Sequence, residues 1–176
     1  MKRKILAGML VIAVTALGAV AQAEEGKDSV MVPGKADTLK WAEANFHYVG
    51  EKKCKVCHKA EFESWDTTLH AKAWNKLKPE EQKNAECAGC HSTGKTEADS
   101  LLVNVACEAC HGPGSGYKIK KTMEDPKLAA AAGLLPITEA TCVRCHNKKS
   151  PNYKEFKFAE ALKTGVHKHP VKEEKK

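Results

Sequence analysis

Four copies of the pentapeptide Cys-x-x-Cys-His contain all eight cysteines of this 176-residue chain. This pentapeptide is the attachment signature of c-type haem, in which two thiols bond covalently to the macrocycle and the adjoining His binds the iron. The sequence therefore predicts four haem c groups. The attachment cysteines are Cys54 and Cys57, Cys87 and Cys90, Cys107 and Cys110, and Cys142 and Cys145.

Disulfides and zinc ribbons are the alternatives for eight cysteines arranged in close pairs. Neither requires a His directly after every second cysteine. Histidine makes up 8 of the 176 residues, so chance would place one there about once in 22 trials for each motif. Four successive matches favour haem.

Each pentapeptide supplies one proximal iron ligand, and four other histidines remain as candidates for the opposite side of each iron. Beyond residue 23 the chain has only Met31 and Met123, so bis-His ligation is favoured over His/Met for most haems, which implies low reduction potentials. The proximal ligands are His58, His91, His111 and His146, and the remaining histidines are His47, His70, His167 and His169.

The surroundings of these four histidines differ. His70 lies on a predicted helix, with Trp74 one turn further along the same face. His167 follows the last predicted helix, whereas His169 is expected to face solvent. His47 lies between two aromatic residues ahead of the first motif. We therefore predict His70, His167 and His47 as distal ligands.

The N-terminal segment predicts export. Residues 1–23 have a basic start, an apolar stretch and an Ala-Gln-Ala cleavage site, which together indicate a secretory signal peptide rather than a membrane anchor. Residues 24–38 are expected to form a flexible leader, and residues 39–176 a single tetrahaem domain. No later stretch could span a bilayer. The mature protein is therefore expected in the periplasm or outside the cell.

The formal net charge of +7 does not indicate nucleic-acid binding. It falls by three when the cations of residues 1–23 are removed, and four haems would add up to eight negative propionates. No basic run is interleaved with aromatic residues. The chain also has few large apolar residues for its length, so the macrocycles are expected to supply much of the core.

The sequence predicts a mainly α protein, with short helices and long loops wrapped around four covalent haems and little or no β structure. Helical spacing of apolar residues predicts a long helix over 60–78. Shorter helices are predicted over 79–85, 127–132 and 154–163 from proline, aspartate and glycine signals. The one weak strand candidate is 103–106.

The chain resembles the cytochrome c-554 family, the tetrahaem carriers associated with hydroxylamine oxidation in nitrifying bacteria. The resemblance runs from about Tyr48 to His169 and is specific in the first block and the third. The matching blocks are 54–60, 64–65, Thr-Leu-His-Ala-Lys-Ala at 68–73, 77–79, Cys-Glu-Ala-Cys-His-Gly-Pro-Gly at 107–114, 156–158 and 167–169.

The resemblance implies that His70 is the distal ligand of the third haem, and His167 that of the fourth. It also implies that the second haem is five-coordinate. In the family the first haem takes its distal His from just after the Gly-Pro-Gly segment, but residues 115–118 contain no His here. His47 is the first substitute, from its own chain or a neighbour, and Tyr117 is a weaker one.

Three functions follow from these observations. The first is a soluble electron carrier between an exported dehydrogenase or oxidoreductase and a quinone-linked or terminal redox protein. The second is an enzyme that reduces a small nitrogen oxide at an open haem, with Tyr117, Lys118, Lys120 and Lys121 as proton donors. The third is a subunit of an extracellular haem polymer linked through His47. Because no arranged set of acids and bases is evident, the carrier is favoured and no catalytic residue is predicted.

Overall fold

Short helices joined by long loops make up most of the chain in the computed structural model, which describes residues 45–164 and 166–169. The predicted mainly α class is confirmed. The signal peptide and the flexible leader lie outside the described residues. The α-helices are α1 Glu51–Lys55, α2 Lys59–Asp66, α3 Ala85–His91, α4 Cys107–His111, α5 Lys120–Met123, α6 Pro126–Ala131, α7 Glu139–Val143 and α8 Phe158–Thr164. Single 3₁₀ turns are present at His70–Lys72, Trp74–Lys76 and Glu81–Lys83.

Every haem-binding pentapeptide begins within a helix. The second and third motifs end α3 and form α4, whereas the first and fourth begin in α1 and α7. In those two, the His N–H donates to the first cysteine's carbonyl oxygen, at 2.9 Å from His58 to Cys54 and 3.0 Å from His146 to Cys142. One helical turn therefore separates the first thiol from the imidazole.

A two-stranded antiparallel hairpin connects the second motif to the third. Strand β1, Ser92–Lys95, pairs with β2, Leu101–Val103, and the register shifts between Ser92 and Gly94. The Thr93 hydroxyl donates to Asn104 O at 2.8 Å and accepts from Ala106 N at 2.9 Å. The strand predicted over 103–106 therefore shares only Val103 with β2. The residues after it instead form the turn into α4.

The long helix predicted over 60–78 is wrong beyond Asp66. Thr67 and Thr68 follow α2, and their hydroxyls donate to Ser64 O and Trp65 O, each at 2.7 Å. These bonds satisfy carbonyls that the next helical turn would otherwise use. The chain then continues as 3₁₀ turns, so His70 lies on a turn rather than in a helix.

The remaining helix predictions differ in outcome. The helix over 127–132 is confirmed within one residue as α6, because Asp125 accepts from Lys127 N at 2.9 Å and caps it. The helix over 79–85 is wrong, since this stretch holds a 3₁₀ turn before α3. The helix over 154–163 begins only at Phe158 and ends at Thr164.

The apolar core of the described residues is small. Its buried apolar side chains are three alanines, Ala73, Ala106 and Ala129, together with Pro113 and Tyr117. Large apolar side chains are instead exposed, including Val56 at 78% and Leu69 at 74%. Within residues 45–164 and 166–169, no helix has the length and the apolar run needed to cross a bilayer.

Candidate haem sites

Two proximal histidines each lie opposite a histidine from a distant part of the chain. The ring centres of His70 and His146 are 6.0 Å apart, with their planes crossed at 72°. Those of His111 and His167 are 6.1 Å apart, with planes inclined by 33°. The third and fourth motifs therefore each have a second imidazole in place.

These separations suit two imidazoles bound to one iron. A metal–imidazole bond is about 2 Å long and the bonded nitrogen lies about 1 Å from its ring centre, so two trans imidazoles have centres about 6 Å apart. Direct van der Waals stacking would bring flat rings closer, as in the 4.9 Å stack of His146 on Phe156. The donor set and its spacing fit haem c.

The imidazole pairs that lie near each other in the structure differ from the ligand pairs that the family resemblance implies. His70 faces His146, the proximal ligand of the fourth motif, and His167 faces His111, that of the third. The physical reason is the path of the chain around each histidine. The carbonyl oxygen of His70 accepts from Val105 N at 3.1 Å, which fixes the 3₁₀ turn against the segment that leads into α4. From there its ring reaches the fourth motif.

The C-terminal segment is held against α2. Lys168 N donates to the Ser64 hydroxyl at 2.9 Å, and His169 Nδ1 lies 3.7 Å from the Glu61 carboxylate. The side chain of His169 is 78% exposed. The expectation that His169 faces solvent while His167 turns inward agrees with this placement.

The protonation of these imidazoles suits iron binding. Burial and the neighbouring His167 lower the pKa of His111 to about 4, so its ring is neutral at physiological pH. In the second motif, Nδ1 of His91 lies 2.7 Å from Ala73 O. Donation to that carbonyl fixes the tautomer in which Nε2 has a free lone pair, as in many metal-bound histidines.

His47 lies beside the segment that follows Gly-Pro-Gly. Its N–H donates to the Ser115 hydroxyl at 2.9 Å, and Ser115 N donates to His47 O at 3.2 Å. Its side chain faces a cleft of about 410 Å³ that also contains Lys53 and Lys118. His47 Nδ1 is buried without a hydrogen-bond partner, and Nε2 lies 3.7 Å from the Glu97 carboxylate.

The hydroxyl of Tyr117 is hydrogen-bonded to the backbone. Its hydroxyl donates to Gly112 O at 2.6 Å and lies 3.1 Å from His111 O. Burial raises its pKa far above the usual value. A neutral, hydrogen-bonded phenol is a poor iron ligand and a poor proton donor, so this geometry speaks against Tyr117 in both of the roles considered for it.

The attachment cysteines bring the motifs together in pairs. The thiols of Cys54 and Cys107 interact with each other, and this interaction raises the pKa of Cys54 and lowers that of Cys107. The same contact between Cys90 and Cys145 lowers the pKa of Cys90 to about 6 and raises that of Cys145. The first motif therefore lies against the third, and the second against the fourth.

Two charged residues inside the pentapeptides were missed by sequence reasoning. Glu108 lies between Cys107 and Cys110, is only 2% exposed, and accepts hydrogen bonds from three backbone N–H groups. Arg144, between the cysteines of the fourth motif, donates to Ala109 O in the third. The signal present in the sequence was a charged side chain between the two cysteines of the motif, where haem attachment does not require a particular residue.

Comparison with known proteins gives one consistent result. The sequence model of a family described as cytochrome c554 and c-prime matches residues 53–112. Cytochrome c-554 of Nitrosomonas europaea is 35% identical to this chain over a stretch that covers 43% of the chain and 42% of that protein. The match thus spans less than half the length of this curated relative.

A solved structure extends the likeness across most of the fold. The reduced state of cytochrome c554 from Nitrosomonas europaea superposes with a TM-score of 0.54 and 30% sequence identity. The superposition covers 69% of this chain and 85% of that one. The likeness therefore extends beyond the family match of residues 53–112.

Proposed function

Because the chain belongs to the cytochrome c-554 family, we propose that it is an exported tetrahaem c-type cytochrome that relays electrons between redox partner proteins. When bound, haem c supplies an iron that gains and loses one electron. The chain's contribution is to attach four such groups through its cysteines and to fix their axial ligands. The observation that carries the proposal is the pair of imidazole contacts at 6.0 and 6.1 Å.

The axial ligands follow from the placement of the histidines. We assign His146 with His70 to the fourth iron and His111 with His167 to the third. A carrier benefits from such closed sites, because a six-coordinate iron changes its ligand geometry little when its charge changes. The two rings of each pair belong to separate segments that are held in place, so the arrangement of the ligands is rigid.

The first iron, at His58, is assigned His47 as its second ligand. His47 is bound through its backbone to Ser115 on its own chain, which favours an intramolecular ligand over a link to a neighbouring subunit. The unpartnered Nδ1 and the weak contact to an exposed Glu97 leave its ring free to rotate toward a metal. The second iron, at His91, is assigned an open position.

Carbon monoxide provides the test of this ligand scheme. It binds a ferrous iron that has an open or weakly held position, so the dithionite-reduced protein should bind one CO per chain. His47→Ala should raise this to two, whereas His169→Ala should leave it at one. A wild-type protein that binds no CO would contradict the open second site, and an unchanged stoichiometry in His47→Ala would contradict His47.

The carrier function itself needs a separate experiment. Mass spectrometry of the exported protein should show four covalent haems, and a reduced dye should reduce all four. Steady-state assays with nitrite and with nitric oxide should then show no turnover above the dye background. Sustained turnover would make the protein a reductase, and fewer than four haems would contradict the tetrahaem assignment.

A further inference from the structure

The most deeply buried charge of the described residues lies inside a haem-attachment motif. Glu108 is 2% exposed, and carboxylates are rarely buried without specific partners. Its Oε1 accepts from Gly114 N at 2.6 Å and Val49 N at 3.0 Å, and its Oε2 accepts from Gly50 N at 2.7 Å. Each of these bonds is accepted, which is the pattern of an ionised carboxylate.

The three donors belong to different parts of the chain. Val49 and Gly50 directly precede α1, the helix that carries Cys54, whereas Gly114 follows the third motif. A side chain at position 114 would place its Cβ 2.9 Å from Glu108 Oε1, so the carboxylate fits closely there. Glu108 thus connects the first attachment helix to the third through one buried side chain.

The charge of Glu108 acts on both motifs. It directly follows Cys107, and Gly50, whose N–H it binds at 2.7 Å, lies four residues before Cys54, so the carboxylate is close to an attachment point of the first haem and one of the third. Backbone N–H groups reduce its field only partly, because they are dipoles and not compensating charges.

Arg144 carries the opposite charge and also connects two of the motifs. Its guanidinium donates to Ala109 O, so a half-buried cation connects the fourth motif to the third from the other side. Arg144 therefore places a positive charge against the third motif, which already contains the negative charge of Glu108.

We propose that Glu108 is a positioning and potential-setting residue, which holds the first and third attachment motifs together and lowers the reduction potentials of their haems, while Arg144 raises that of the fourth. This inference rests on the proposed tetrahaem function. Reduction adds one electron to an iron, so a nearby negative charge disfavours it and a positive charge favours it. The carrier would then have two classes of potential set by residues of its own pentapeptides.

The test is a spectroelectrochemical titration of exported holoprotein. Glu108→Gln removes the charge and keeps the size, and it should shift two of the four potentials upward. Glu86→Gln is the matched control, since Glu86 directly precedes Cys87 but is exposed, and it should leave all four unchanged. Arg144→Gln should shift at least one potential downward. Arg144→Lys keeps the positive charge, so most of that downward shift should be absent in this variant.

The positioning role has its own measurement. Glu108→Asp keeps the charge but shortens the side chain, so it should speed hydrogen exchange at the amides of Val49, Gly50 and Gly114 while the potentials stay near wild type. Unchanged exchange in this variant would overturn the positioning role. Unchanged potentials in a four-haem Glu108→Gln protein would overturn the electrostatic role and leave the proposed function intact.

One further outcome has a defined meaning. If Glu108→Gln does not accumulate as holoprotein, Arg144→Gln decides the electrostatic part, because a downward shift supports it and no shift overturns it. A wild-type protein with fewer than four haems would instead contradict the proposed function on which the inference rests.

Discussion

At the scale of single residues, the ring angles of the two histidine pairs predict distinct electronic spectra. Crossed imidazole planes leave two iron d orbitals nearly equal in energy and increase g anisotropy, whereas near-parallel planes separate them. His70 and His146 are crossed at 72°, and His111 and His167 are inclined by 33°. His70→Ala should therefore abolish the more anisotropic low-spin EPR signal of the oxidised protein, and His167→Ala the less anisotropic one.

The exposed His169 provides the control for this prediction. His169→Ala should leave every low-spin signal in place, because its ring contacts the Glu61 carboxylate and the edge of the His167 ring but no proximal histidine. Loss of the same signal in both His70→Ala and His167→Ala would contradict the assigned pairs. An exchange of the two signals would contradict the ring angles of the two pairs.

Two glycines should respond in opposite ways to the same substitution. A Cβ on Gly116 would clash with Ala132 O and lie 2.6 Å from Phe46 Cε1, whereas a Cβ on Gly89 would meet no atom within 4 Å. Gly116→Ala should destabilise the holoprotein by about 1–3 kcal/mol. Gly89→Ala, within α3, should be neutral or stabilising by up to about 1 kcal/mol. Guanidinium unfolding followed by circular dichroism measures both, and equal effects would contradict the packing around Gly116.

At the scale of structural elements, the hydroxyl of Ser64 holds the C-terminal segment that carries His167. Ser64→Ala removes the bond to Lys168 N, a loss of about 1 kcal/mol. Release of the segment from α2 should then become about fivefold more favourable, and the third iron should become easier to reach. The measurement is the rate of CO binding to the reduced protein.

Thr67→Ala is the matched control for this element. It also removes a hydroxyl at the end of α2, but that hydroxyl bonds to Ser64 O within the same helix end. It should leave the CO binding rate unchanged. An equal acceleration in both variants would show that fraying of α2, rather than release of the His167 segment, controls access.

Sequence reasoning succeeded where one local signal dominates an element and failed where tertiary contacts compete with it. The start of α6 was predictable because Asp125 and Pro126 are strong local signals. The end of α2 was not, since apolar spacing continues to Leu77 while Thr67 and Thr68 turn their hydroxyls back onto the helix. The indole of Trp65 then bonds to Val105 O, 40 residues away, a contact that no local pattern contains.

At the scale of the whole molecule, the same distinction applies to the candidate site. The pentapeptides predict the attachment cysteines and proximal ligands from sequence alone, because the chemistry they indicate is local. Which distal His faces which motif depends on how the 3₁₀ turn at His70 and the segment around His167 are anchored, and these anchors are long-range. Glu108 was missed for the same reason, since its partners are as many as 59 residues away.

Because the apolar core is sparse, we predict that the protein without haem does not fold cooperatively. Burying a large apolar side chain contributes about 1.5–3 kcal/mol, while ordering each residue's backbone costs about 1–2 kcal/mol. Tyr117 is the one large side chain among the buried apolar residues of the described chain, so the polypeptide alone cannot offset that cost. Residues 24–176 produced in the cytoplasm, where haem c is not attached, should show collapsed amide NMR dispersion and no thermal transition. The exported holoprotein should show both dispersion and a sharp transition, and a cooperative transition in the haem-free chain would mean that the polypeptide core suffices.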